Sequence, residues 1–321
     1  MQKDRIMFGG EEAVISSYND SRIVILPVPY EATTTYGKGT KDGPDAILKA
    51  SENVELYDEE IDVEIYKMGI YTVPALRFAP GDDRSKRRPK KRPAGGNIKF
   101  QRSSQESALK QIERKVEALL HDGKFPVILG GEHSITPPAV SAFKKKYRDL
   151  TVVQMDAHAD LRESYLGSKS NHACAMARVA EICPIVQIGV RSMSVEESKR
   201  IHFPGMRTKK EKSRHGRKNW ILFAADMQDE RWIDRVLEKI DGKIYLTIDL
   251  DYFDPSIMPS VGTPEPGGGE WYPTLGFLKK LAKKARVVGF DVVELCPQKG
   301  NPASDFLAAK LIFKILGYIH R

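Results

Sequence analysis

Apolar residues along this 321-residue chain fall into two alternating rhythms. Short continuous apolar runs, SRIVILPVPY (21–30), FPVILGG (125–131), LTVVQMDA (150–157), PIVQIGV (184–190), IYLTIDLDYF (244–253) and RVVGFDVVEL (286–295), have the character of strands buried on both faces. Between them lie stretches with helical spacing. GPDAILKAS (43–51) opens with proline near its first turn, and SALKQIERKVEALLHDGK sets Leu109, Ile112, Val116 and Leu119 on one face before stopping at Gly123. PAVSAFKKKY (138–147), CAMARVAEI (174–182), DERWIDRVLEKI (229–240) and SDFLAAKLIFKILGYI (304–319) read as further helices. Such alternation predicts a mainly parallel sheet covered by helices on both faces, a three-layer α/β/α fold in a single domain over 1–321. No internal repeat is visible.

Composition narrows the classes. Hydrophobic residues make up 41% of the chain, which suits a globular core, and no run of about 18 apolar residues offers a membrane span. The opening MQKDRIMFGG lacks the apolar stretch of a secretory signal. Cys174, Cys183 and Cys296 form no CxxC pair and read as small hydrophobes in a reducing compartment, so the cytoplasm is the expected location. The net charge of +8 is carried by two basic insertions, at about 77–102 and 205–218, which read as exposed loops. Without them the chain is acidic, so neither nucleic acid nor a membrane is the expected partner.

The chemistry gathers where the strands end. FPVILGG runs into Glu132 and His133, LTVVQM into Asp156, His158 and Asp160, IYLTI into Asp249 and Asp251, and RVVGFDVV into Glu294. In an open α/β sheet, ligands sit outside the carboxyl ends of the strands, where these residues lie. In extended chain, positions two apart share a face, so Asp156, His158 and Asp160 are expected to converge, as are Asp249 and Asp251. Converging carboxylates repel and raise one another's pKa values, a conflict that a bound cation removes. Oxygen-rich donors with two imidazoles suit a hard or borderline divalent ion better than a thiolate-seeking one.

GGEHS (130–134), DAHADLRESY (156–165), NHA (171–173), TIDLDYFDPS (247–256), GTPEPGGG (262–269) and DVVEL (291–295) together resemble the ureohydrolase family of arginases and agmatinases. VPYEATTTYGKGTKDGPDAI near the start extends the likeness to most of the chain outside the basic segments. The resemblance implies an arginase-like fold, two Mn2+ per subunit, and hydrolysis of a guanidino compound to urea and an amine. It also implies that His133 and His158 bind one ion each, that Asp156 and Asp249 bridge them, and that Asp160 and Asp251 complete the two shells. Asp160 would further help move a proton, His172 would shuttle protons near the leaving group, and Glu294 would pair with the guanidinium. A trimer or hexamer is implied as well.

The resemblance leans toward the agmatinase branch, because Arg162 stands where arginases carry an asparagine that helps hold a carboxylate. Agmatine, yielding putrescine and urea, is the expected substrate; guanidinobutyrate or another guanidino acid is the alternative, with Arg162 as the substrate-binding residue. Gly269 stands where relatives commonly carry leucine. Outside this class stand an inactive relative and a nucleic-acid binder using the basic segments. His172 could instead cap the helix near Ala173, and Glu294 could serve backbone amides. His121, His202, His215 and His320 read as surface histidines.

Overall fold

The computed structural model describes residues 6–13, 17–78, 97–201, 219–229 and 231–320. In chain order its elements are β1 (Ile23–Val28), α1 (Gly43–Ser51), β2 (Tyr57–Asp58), β3 (Val63–Glu64), β4 (Ile70–Thr72), α2 (Asn97–His121), β5 (Phe125–Gly130), α3 (Thr136–Lys146), β6 (Leu150–Met155), α4 (Ala175–Ala180), β7 (Ile185–Val190), α5 (Val195–Ser198), β8 (Trp220–Phe223), α6 (Trp232–Leu237), β9 (Lys243–Asp249), α7 (Trp271–Lys284), β10 (Arg286–Val293) and α8 (Ala303–His320). Eight strands form one sheet in the order β4-β1-β5-β10-β9-β6-β7-β8. Every pairing in it is parallel, as the uninterrupted apolar runs require.

Alternation within each strand decides which helices it meets. Ile23 and Ile25 of β1 share a core with Ile47 and Leu48 of α1, Leu278 of α7 and Leu311, Ile312 and Ile315 of α8. Val24, Leu26 and Val28 face the other way, toward Ile112 and Val116 of α2, Val140 and Phe143 of α3 and Val179 of α4. The result is the expected three layers. Each fully buried Leu or Ile contributes roughly 1.5–3 kcal/mol, so the two apolar layers hold the sheet between them. A buried ion pair lies inside this packing. Lys314 of α8 is buried against Asp58 at 2.8 Å and Glu60 at 3.0 Å, which ties the β2–β3 pair to the last helix.

The strand order explains the convergence. After β5 the chain skips two places to β6, continues outward to β8, then returns to fill the gap with β9 and β10. The carboxyl ends of β5, β10, β9 and β6 therefore lie side by side, with Val293 opposite Asp249 and Met155 opposite Ile248. This reversal point is where open α/β sheets place their ligands.

Several elements differ from the expectation. Helix α7 went unpredicted although Leu275, Leu278 and Leu281 recur at helical spacing. The edge strands β4 and β8 have three and four residues, too few for a readable pattern. Helix α2 begins at Asn97, inside the first basic insertion, because Lys, Gln and Arg extend a helix well without adding apolar signal. Residues 79–96 and 205–218 of the basic insertions, with His202 and His215, lie outside the described residues. His320 is not a surface histidine. Its ring packs edge-on against Phe125 at 4.7 Å, its Nε2 is buried without a hydrogen-bond partner among the described residues, and burial lowers its pKa to about 4. His121 is exposed, as expected. The three cysteines are free, with Cys174 and Cys183 buried and Cys296 half-buried. Among the described residues, no helix is long and apolar enough to cross a membrane.

Candidate metal centre and active site

The four strand ends deliver their ligand candidates to one cavity of about 230 Å³, lined by His133, His158, Asp160, His172, Asp249, Asp251 and Glu294 among others. Its wall also includes Arg162 and residues 34–37. Same-side alternation is only part of the reason. Asp156 follows directly on β6, but Asp160 turns back through a left-handed conformation with φ 51°. Asp249 is the last residue of β9, and Asp251 lies in the 3-10 turn Leu250–Tyr252. Tight turns, rather than extended chain, bring the carboxylates together. The buried Ala157, Ala159 and Leu250 face the core between them.

Two donor sets share one carboxylate. Around His133 Nδ1 lie Asp156 Oδ2 at 3.1 Å, Asp160 Oδ2 at 3.2 Å and Asp249 Oδ2 at 3.4 Å. His158 Nδ1 lies 2.8 Å from Asp251 Oδ2 and 3.7 Å from the other oxygen of Asp156. Asp156 thus presents one oxygen to each histidine, whereas the contact recorded for Asp249 is on the His133 side. The groups His133–Asp156–Asp160 and Asp156–His158–Asp251 each have the spacing of a metal-ion site.

The surroundings fix the orientation of these atoms. His133 Nε2 is 2.9 Å from Thr247 Oγ1, and that hydroxyl donates its single proton to Asp291. Thr247 can therefore only accept from the ring, so Nε2 carries a hydrogen and Nδ1 is the nitrogen turned to the carboxylates, able to ligate once the ring is neutral. That Nδ1 is buried and makes no hydrogen bond among the described residues. Asp291 is fixed in turn by Tyr245 at 2.7 Å and Thr136 at 2.9 Å. Gln187 holds Gln154, which donates to Asp156. The amides of Ala157 and Asp251 donate to Asp251 and Asp249, each at 3.0 Å.

Electrostatics points the same way. Burial, then Asp251 and Asp156, pushes the Asp249 carboxyl well above the usual range. Burial opposes a charge on His133, but Asp156, Asp160 and Asp249 outweigh it and hold a proton there far above the ordinary imidazole range. A buried cluster that draws protons this strongly, around an orphaned imidazole nitrogen, has the donor chemistry of a divalent cation site.

The remaining candidates are placed as follows. Glu294 has φ 66° and lines the cavity; one of its oxygens accepts from the His133 amide at 2.7 Å. The backbone-amide role is therefore real, and it leaves the second oxygen for a ligand. His172 is not a cap: Asn171 accepts from Ala173 N at 3.0 Å, and His172 lines the cavity. Arg162 faces the cavity too, with its guanidinium 4.8 Å over the Tyr165 ring and Nε 3.7 Å from Glu197. At Gly269 a Cβ would come within 2.2 Å of the Tyr252 ring, so the bulk of that aromatic accounts for the glycine.

Arg191 was missed. Its guanidinium donates to the carbonyls of Asp251 at 2.7 Å and Glu265 at 2.9 Å, among others, pinning the loop after β9 to the 262–269 segment. A lone arginine after a strand carries no signal in sequence. Thr247 and Asp291 were hidden as polar interruptions in apolar strands, which is the one trace they leave.

Comparison with known proteins agrees with this geometry. A sequence profile described as the Arginase family matches residues 21–317. The N(1)-aminopropylagmatine ureohydrolase of Synechocystis sp. is 39% identical over 313 residues, covering 96% of this chain and 92% of that protein. The agmatinase of Pyrococcus horikoshii is 31% identical over 300 residues, with 93% and 92% covered. The crystal structure of the agmatine ureohydrolase of Thermoplasma volcanium superposes with a TM-score of 0.79 at 28% identity, covering 98% of this chain and 94% of that one. The chain belongs to the arginase family, on its agmatinase branch, and is a hydrolase acting on guanidino compounds.

Proposed function

We propose that this enzyme holds two manganese ions and hydrolyses the guanidino group of an agmatine-type polyamine, releasing urea. The observation that carries the reading is Asp156, a buried carboxylate whose two oxygens face two different histidines, both of which line the cavity with Glu294. His133, Asp160 and Asp249 would hold one ion and His158 and Asp251 the other, with Asp156 between them. Asp249 would serve as the second bridge. When bound, the ions supply a water acidic enough to act as nucleophile at neutral pH.

The chain's own groups do the rest. Glu294 Oε2 pairs with the planar guanidinium and orients its carbon, while Oε1 stays on the His133 amide. Asp160 accepts the proton of the attacking water. His172 takes up a proton from solvent on its cavity-facing nitrogen and hands it to the departing amine nitrogen, which leaves as a neutral amine. Arg162 is partly neutralised by Glu197, so it tolerates a cationic tail as well as an anionic one.

For the tail, the 39% identical relative is named for N(1)-aminopropylagmatine and the 31% identical one for agmatine. We therefore favour aminopropylagmatine, giving spermidine, with agmatine, giving putrescine, as the second substrate. Guanidino acids rank below both. Urea release with manganese from agmatine, aminopropylagmatine, arginine and guanidinobutyrate tests this. A higher kcat/KM for aminopropylagmatine is expected. Turnover of guanidinobutyrate alone would overturn the polyamine assignment, and no turnover of any would overturn the reaction.

A further inference from the structure

Glu132 is completely buried, yet it is not among the residues that line the cavity. Its bonds run instead to the loop before α1. Ala32 N and Thr33 N both donate to Oε2 at 2.6 Å. Thr33 Oγ1 donates to Oε1 at 2.7 Å, beside Ser134 Oγ at 2.5 Å.

The Thr33 hydroxyl also faces His172 twice. It accepts from the backbone N–H of His172 at 3.0 Å and lies 3.1 Å from the ring Nδ1. A hydroxyl has one proton to give. The shorter contact, to a carboxylate oxygen, takes it, because a bond to a carboxylate is stronger than one to a neutral imidazole nitrogen. Toward His172, then, Thr33 can only accept. Were Nδ1 bare, two lone pairs would face each other at 3.1 Å. Nδ1 must carry the ring hydrogen, and Nε2, which has no partner among the described residues, is the basic nitrogen of a ring lining the cavity. The same amides tie Glu132 to the stretch that leads into Thr34, Thr35 and Tyr36 on the cavity wall.

We propose that Thr33, held by Glu132, is a positioning residue that selects the Nδ1-protonated tautomer of His172 and aims Nε2 at the departing nitrogen of the substrate. The inference rests on the reaction proposed above. It makes the carboxylate–hydroxyl–imidazole chain the counterpart of the Asp291–Thr247–His133 chain: one prepares a ligand nitrogen, the other a proton-transferring nitrogen. Burial favours the neutral ring of His172, against the pull of Glu132, so a fixed tautomer rather than a fixed charge is what the chain supplies.

The test compares Thr33→Val, which keeps the shape and removes the hydroxyl, with Thr33→Ser, which keeps the hydroxyl. In Thr33→Val, kcat is expected to fall about 10–100-fold, the range for partners that orient an imidazole. KM and bound manganese should stay near wild type, and Thr33→Ser should recover most of the loss. Long-range 1H–15N spectra of histidine-labelled, magnesium-loaded protein, with His172 assigned by its absence in His172→Asn, should show Nδ1–H in wild type and mixed tautomers in Thr33→Val. Unchanged kcat in Thr33→Val, an equal loss in Thr33→Ser, or Nε2–H in wild type would overturn the proposal. If the wild-type chain releases no urea at all, the reaction reading fails instead, and the spectra still decide the tautomer.

Discussion

Removing the Thr247 hydroxyl isolates what the polar chain behind His133 is worth. In Thr247→Val the shape is kept, but His133 Nε2–H loses its 2.9 Å acceptor in a fully buried position. The ring then has two options. It can keep the hydrogen on Nε2 as an unsatisfied buried donor, at about 1–3 kcal/mol. Or it can move the hydrogen to Nδ1, where it blocks the ligand lone pair and must be displaced when metal enters. The carboxylates around Nδ1 favour the second route, and forcing the hydrogen back to an unpaired Nε2 when metal enters costs the same amount, which at 1.4 kcal/mol per decade is roughly a 5- to 150-fold loss of affinity. Asp291 keeps Tyr245 and Thr136 as donors, so the fold survives. Manganese affinity measured against a chelating indicator, alongside kcat at saturating manganese, is the assay. Weaker binding with kcat within about threefold of wild type is expected from an effect confined to ligand preparation. Unchanged affinity would refute the argument, and a collapse of kcat at full metal occupancy would move Thr247 into the reaction itself.

Two further predictions follow from other buried groups. Glu294→Gln keeps an oxygen for the His133 amide but removes the charge proposed to meet the guanidinium; KM should rise about 10–100-fold, from a charge-assisted bond of ~1.5–3 kcal/mol, with manganese content unchanged. Wild-type KM in that variant would remove Glu294 from substrate binding. His320 is held neutral in the folded chain at a pKa of about 4 against an ordinary 6.5, so the unfolded chain takes up a proton first as pH falls. Its contribution is fully present above pH 6.5 and is lost as pH drops toward 4, an effect of roughly 2–3 kcal/mol that chemical denaturation at pH 7 and pH 4.5 would read and His320→Leu would flatten. Equal pH dependence in wild type and variant would refute it.

The layered fold was legible because parallel strands buried on both faces leave mainly apolar runs, and β1, β5, β6, β7, β9 and β10 all do so. The site's location was legible for a related reason: charge directly after such a run has nowhere to go but the sheet's edge. Turns were not legible. Nothing in DAHAD announces that Asp160 reverses through a left-handed conformation, since aspartate is only mildly favoured there. Positioning groups were legible least. Thr247, Asp291 and Arg191 act through bonds to partners tens of residues away, and one sequence carries no record of such pairings.

Asp160 and Glu294 carry a last consequence through their positive φ angles, 51° and 66°. Residues with a side chain resist this region by about 1–3 kcal/mol, and glycine does not. The surrounding sheet forces two acids into conformations they would leave if freed. A screen of variants for heat tolerance alone should therefore enrich glycine or asparagine at these two positions and return robust proteins that no longer work. Anyone engineering this scaffold for durability has to select on turnover at the same time.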